Sequence, residues 1–218
     1  MRSIALFPCS YTEGALLVGE LSAALRLKIY TDEMLFADIS SRFSISVKTL
    51  RRMIFGSAQQ PQGNSFEKEI FVDLARRTLA AQRRLFSGRR MFFGLHTSLL
   101  DPQLARVIKV LVVDDEERRV QRAMRQECFS VVAAREVVRQ HDRKATAWTR
   151  FLFGKEAYDP SLYDVVVSGS PMELIRQIVQ HYEDVETWFG HYQQNRSDGA
   201  ADNYYRQAAQ GEACLAAH

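Results

Sequence analysis

The chain has 218 residues, 46% hydrophobic and 25% charged, a balance that suits one large or two small globular domains. No apolar run approaches the roughly 20 residues that a membrane helix needs. A net charge of +3 is too small to argue for DNA or RNA as a partner. The short apolar run after Arg2 (IALFPC) is soon followed by Glu13, so it does not read as a signal peptide, and a cytoplasmic protein is expected. Cys9, Cys128 and Cys214 are odd in number and far apart, which gives neither a disulfide framework nor a metal-ligand pair. Reduced thiols and no metal site built on cysteine are the expectation.

Residues 3–7 (SIALF) are a short apolar run with the look of a buried strand, and PCSYTEG follows as a turn. Residues 15–27 then have a helical pattern, with Leu16, Leu17, Leu21, Ala24 and Leu25 on one side. Strand, turn and helix in that order open an α/β fold. A helix N-terminus offers free N–H groups and a favourable dipole, so a phosphate-binding loop belongs at residues 8–15. Residues 30–56 predict one or two amphipathic helices, residues 57–65 a loop, and residues 66–85 another helix. Gly88 breaks that helix, and MFFGL (residues 91–95) is a candidate central strand. Asp101-Pro102 marks a turn. Residues 106–113 (RVIKVLVV) are rich in β-branched side chains and give the strongest strand signal.

Residues 116–127 predict a helix, and Ser130 a cap for a further helix over 131–153. Asp159-Pro160 is a turn, residues 163–167 a last strand, and 171–192 a helix with Pro171 in its first turn. Tyr182, Trp188, Phe189 and Tyr192 on this helix suit core packing, a homodimer contact or a protein partner. Residues 193–218 are polar and Ala/Gln-rich, as expected of a flexible tail after a domain spanning 1–192. Strands separated by long helices predict a three-layer α/β fold, a parallel sheet flanked by helices on both faces.

The arginines cluster at 76–77, 83–84, 89–90, 118–125 and 135–150, and a guanidinium fork matches phosphate oxygens. Two resemblances bear on them. KVLVVDDEERRV resembles the first strand and acidic pocket of a receiver domain, with Asp114 and Asp115 as magnesium ligands. Ser168, however, stands where that family has its acceptor Asp, and no downstream Thr and Lys pair follows. The alternative for the two acids is a helix cap and a first-turn acid.

The second resemblance covers far more of the chain. IALFPCSYTEGALLVGELSAALRLKIYTDEML, Gly88-Arg89, Asp142-Arg143, RFLFG (150–154) and DPSLYD (159–164) together resemble the cytidylate kinase-like family, a branch of the P-loop nucleoside monophosphate kinases. The resemblance implies a P-loop kinase fold, with residues 30–56 as the acceptor-side helical segment and 116–154 as a lid-like one. It implies ATP and Mg2+ as cofactors if the protein is active, and CMP or dCMP as the phosphoryl acceptor. Phosphoryl transfer needs positioned positive charge rather than covalent chemistry. By resemblance Arg119, Arg122, Arg143 and Arg150 would serve phosphates, Asp142 would orient one of the arginines, and Asp32 and Arg89 would lie on the acceptor side. Ser10, Thr12 and Gly14 are what the loop offers to bind the donor.

The chain departs from the family pattern at the loop. PCSYTEGA keeps one glycine, and no basic residue lies between Arg2 and Arg26. Glu13 adds negative charge, and two like unit charges about 4 Å apart at an effective dielectric near 20 cost roughly 4 kcal/mol. The family's Lys after Asp32 is Glu33, and the second Arg of its Asp-Arg-x-Arg pattern is Ala145. Bulky MFFGL follows Arg90 where small residues are usual. Losses on the catalytic parts beside a retained C-terminal signature predict a degenerate relative, a pseudokinase that binds a nucleotide or phosphorylated ligand weakly in a regulatory or sensing role. The alternatives are an active (d)CMP kinase and a protein-interaction scaffold.

Overall fold

The computed structural model describes residues 3–12, 14–56, 64–85, 90–100 and 107–197. Glu13, Gly88, Arg89, Asp101-Pro102, most of the loop expected at 57–65 and the tail beyond Ser197 lie outside these residues.

Five strands are described: β1 (Ser3–Pro8), β2 (Lys28–Thr31), β3 (Arg90–Phe93), β4 (Val107–Val113) and β5 (Val165–Ser168). All pair in parallel, in the order β2-β3-β1-β4-β5. The helices are α1 (Gly14–Leu25), α2 (Asp32–Phe43), α3 (Val47–Phe55), α4 (Ser65–Leu85), α5 (Glu116–Glu127), α6 (Val131–Phe153) and α7 (Pro171–Ser197), with 3-10 turns at Leu95–Leu99 and Pro160–Leu162. This is the expected parallel sheet flanked by helices. The chain divides into two compact units, and α7 belongs to the first through Ile178 and to the second from Val179. In the second unit Tyr182 is buried, while the side chains of Trp188, Phe189 and Tyr192 lie outside those described. Among the described residues no helix is long and apolar enough to cross a membrane.

Central strands of a parallel sheet are covered on both faces, so they read as continuous apolar runs. Ile4, Ala5, Leu6 and Phe7 of β1, and Val110, Leu111 and Val112 of β4, are accordingly all buried. The largest core cluster joins Ala5, Tyr30, Phe92 and Val107 of the sheet to Leu35, Phe36 and Ile39 of α2, Leu50 of α3, Phe71 and Ala75 of α4, and Trp148 of α6. A smaller one fastens α5 to α6 through Val120, Ala123, Ala134 and Val138.

The caps follow the local chemistry. Asp115 accepts from the Arg118 amide at 2.8 Å and starts α5, which is the capping alternative for this acid. Ser130 accepts from Ala133 at 3.3 Å and starts α6. Strand β2 is a correction, since the sequence put the start of a helix at residue 30. Four residues are too few to show an alternating pattern, and Thr31 at once caps α2, accepting from the Met34 amide at 3.4 Å. The last helix also runs five residues further than the expected end at Tyr192.

The strand order reverses at β1: the chain leaves β1 for β2 on one side, and β3 for β4 on the other. Ligands of open α/β sheets bind beyond the carboxyl ends of the strands at such a point. Asp32, the first residue of α2, shapes this place. Its Oδ2 accepts from the Leu95 amide at 2.8 Å, and its Oδ1 from the His96 amide at 2.9 Å and from His96 Nδ1 at 2.6 Å. An ionised carboxylate can only accept, so Nδ1 carries the proton. Gly94 has φ +125°, and a Cβ there would stand 2.3 Å from Asp32 Oδ2. Glycine is needed both for the backbone conformation and for the approach of the carboxylate.

Asp32→Ala would leave two amides without their acceptor and should cost about 2–4 kcal/mol in urea unfolding. Gly94→Ala should cost about 2 kcal/mol or more. The double variant should lose less than the sum, because removing the carboxylate removes the clash. Strict additivity would show that the two positions are not coupled.

Candidate functional site

A cleft of about 380 Å³ opens at the carboxyl ends of β1 and β3. Its floor is Phe7, Pro8 and Ser10 after β1, and Gly94 and Leu95 after β3. Asp32 and Arg51 reach it from α2 and α3, His141 and Lys144 from α6, and Tyr158 from the segment beyond. The Ser10 hydroxyl is buried without a partner, the type of group that calls for a ligand or a water. Among the described residues neither Arg51 nor Lys144 is paired with a carboxylate, and the Arg51 guanidinium lies over the Phe36 ring.

The loop itself is turned inward. Thr12 Oγ1 donates to the Cys9 carbonyl at 2.7 Å and is buried. Tyr11 adopts φ 59°, the left-handed region, and its carbonyl accepts from Arg122 Nη1 at 3.0 Å. Gly14 opens α1, and a Cβ there would meet the Phe93 ring at 3.1 Å and Pro8 at 3.2 Å. The bulky MFFGL segment therefore sets an aromatic ring against the start of the helix where a phosphate loop would need open space.

The arginines fall into three groups. Arg119 is 3% exposed. It forms a two-pronged pair with Asp142, Nη1 to Oδ1 at 3.0 Å and Nη2 to Oδ2 at 2.5 Å. Tyr158 Oη donates to the same Oδ1 at 2.7 Å. Burial alone would lower the Arg119 guanidinium, but Cys9, Asp142 and Tyr158 hold it above its ordinary value. Burial likewise pushes up the Cys9 thiol and the Tyr158 hydroxyl. Arg122 is clamped by Asp114, at 2.6 Å, and by the Tyr11 carbonyl. Asp114 is almost wholly buried and also faces Arg118 at 3.6 Å. Arg143 and Arg150 are exposed, paired with Glu136 and Glu156.

Of the residues singled out from sequence, Ser10 and Asp32 line the cleft, Thr12 and Gly14 lie in the loop beside it, and Asp142 and Arg119 stand behind it as one pair. Arg122 fixes the loop. Arg143 and Arg150 line a neighbouring cleft. Arg89 is outside the described residues. Sequence reasoning missed Arg51, Lys144, Tyr158 and His96. Lys144 follows directly on Asp142-Arg143, and with His141, Ala145 and Trp148 it falls on one helix face at spacings of three, four and seven. That periodicity was the available signal.

A buried charge stripped of its partner is costly. Asp142→Ala should therefore lower stability by about 3 kcal/mol in thermal or urea unfolding. Arg143→Ala and Arg150→Ala, in exposed pairs, should each cost less than about 1 kcal/mol. Equal costs at all three positions would refute this ranking.

Comparison with known proteins agrees with this architecture. The model of the cytidylate kinase-like family matches residues 4–171. A search of curated protein sequences gives no match. Among solved structures, an uncharacterized protein from Eubacterium ventriosum superposes with a TM-score of 0.65 at 12% identity, covering 84% of this chain and 98% of that one. A gluconokinase from Sinorhizobium meliloti superposes with a TM-score of 0.52 at 12% identity, covering 86% and 97%. Identities this low speak for the fold alone. The family match spans most of the chain, and the sheet is that of the P-loop kinases: the chain belongs to the cytidylate kinase-like family.

Proposed function

We propose that this chain is a degenerate member of its family, which binds a nucleotide or another phosphorylated ligand weakly in the cleft at the ends of β1 and β3 and acts in a regulatory or sensing role in the cytoplasm. The observation that carries this reading is the division of the cations. Arg119 and Arg122, which the family resemblance assigns to phosphates, are neutralised by Asp142 and Asp114. Arg51 and Lys144 face the cleft without carboxylate partners among the described residues. A guanidinium and an ammonium so placed can meet phosphate oxygens, and the unpartnered Ser10 hydroxyl adds a donor.

The family in general uses ATP and Mg2+. The described residues do not fit that pair as a donor site. Thr12, the loop hydroxyl nearest the helix start, is spent on the Cys9 carbonyl, and Phe93 crowds Gly14. Asp114, the acid at the end of β4, is spent on Arg122. Among the described residues no group of three or more His, Cys, Asp or Glu is placed to hold a metal ion. Asp32 has both oxygens committed to Leu95 and His96. These side chains favour holding an anionic ligand over moving a phosphoryl group, which requires preorganised charge free to follow the reaction.

Calorimetric titration of CMP, dCMP and ATP tests the reading. CMP or dCMP should bind with Kd of about 0.1–1 mM. Arg51→Ala and Lys144→Ala should each weaken that binding by about tenfold. Absence of binding by all three nucleotides would overturn the proposal.

A further inference from the structure

Helices α5 and α6 pack on each other across the turn at Cys128, Phe129 and Ser130 and form a hairpin. Val120, Ala123, Ala134 and Val138 are its buried core, with Met124 and Phe129 packed against them. One residue from elsewhere joins this cluster: Tyr11, from the loop after β1. Its ring also meets His141 of α6 edge-on, with centroids 6.0 Å apart and planes at 84°. Its carbonyl accepts from Arg122 of α5 at 3.0 Å. Ring and carbonyl together attach the loop to both helices of the hairpin.

Tyr11 makes these contacts from a strained backbone. Its φ of 59° lies in the left-handed region, which a residue with a Cβ keeps only where its surroundings over-determine it. Such outliers concentrate in clamps and switch regions. Loss of the ring and carbonyl contacts would let the backbone relax to negative φ, so the strain works toward release. The hairpin is also tied to the end of β4 through Asp114 and to the segment beyond α6 through Tyr158. What Tyr11 adds is the tie to the loop after β1. That tie bears on the cleft, because His141, Lys144 and Ala145 of α6 form one of its walls and Ser10 of the loop lies in its floor.

We propose that Tyr11 is a latch, which holds the α5–α6 hairpin closed against the loop after β1 without any ligand, and whose release opens the cleft. The latch does not depend on what the cleft binds.

Double electron–electron resonance on the ligand-free full chain tests it. Spin labels are placed at Cys128, exposed at the turn of the hairpin, and at Met34→Cys, exposed on α2, in a Cys214→Ser background, with Cys9 protected by its burial. With Tyr11 in place the pair should give one narrow distance. Tyr11→Phe keeps the ring and should match it. Tyr11→Ala loses the ring but keeps the strain, and should raise the share of a second, longer distance by about tenfold. Tyr11→Gly loses ring and strain together and should fall between those two. Thermal melts verify folding, and if Tyr11→Ala does not fold, Tyr11→Gly, whose backbone suits this φ, carries the comparison. A control pair at Met34→Cys and Val166→Cys, exposed on β5, with Cys128→Ser and Cys214→Ser, should not change in any variant. A broad distribution with Tyr11 in place, or the same narrow distance once the ring is removed, would overturn the latch. Equal broadening of the control pair would mean a general loosening of the fold and would overturn it as well.

Discussion

Asp142 is the carboxylate on which the packing of α5 and α6 beside the site depends. It takes both prongs of the buried Arg119 and the Tyr158 hydroxyl, so one carboxylate on α6 ties down α5 and the segment that leads to β5. Cys9, at the end of β1, lies against the same cluster. Removing a paired charge from such a place leaves its partner stranded in a low dielectric, which makes the pair a structural lock. The lock has a functional consequence. A guanidinium committed to a carboxylate has lost most of its capacity to follow charge developing on a phosphoryl group. Arg122 is committed in the same way to Asp114 and, through Tyr11, to the loop itself.

Asp32 makes the equivalent lock on the other side of the reversal point. It binds the start of α2 to the turn after β3, with Gly94 giving the clearance. Between these two locks lies the cleft, with Arg51 and Lys144 available to a ligand. In the reading proposed above, this cleft holds the ligand, while Arg119 and Arg122, which the family resemblance assigns to phosphates, are parts of the frame.

Much of the fold was legible in the sequence. Strands β1 and β4 are continuous apolar runs because they lie inside a parallel sheet, and Asp115 and Ser130 announce their helices through the capping chemistry of short polar side chains. Strand β2 was not legible, since four edge residues running directly into a helix cap carry no period. The site was legible only in part. Ser10 and Asp32 were found through the family pattern, whereas the pairing of Arg119 with Asp142 joins residues 23 apart and follows from how α5 packs on α6. Which arginines are neutralised is a property of tertiary contact, invisible in charge clusters along the chain.

The most direct measurement is a coupled assay of ADP release by the purified protein with ATP, Mg2+ and CMP, run at CMP concentrations where calorimetry shows the cleft to be occupied. The account predicts an occupied cleft and no CMP-dependent ADP release above background. Turnover at an ordinary kinase rate, about 1 s⁻¹ or faster, would contradict it, and would mean that Arg119 and Arg122 leave their carboxylates during the reaction.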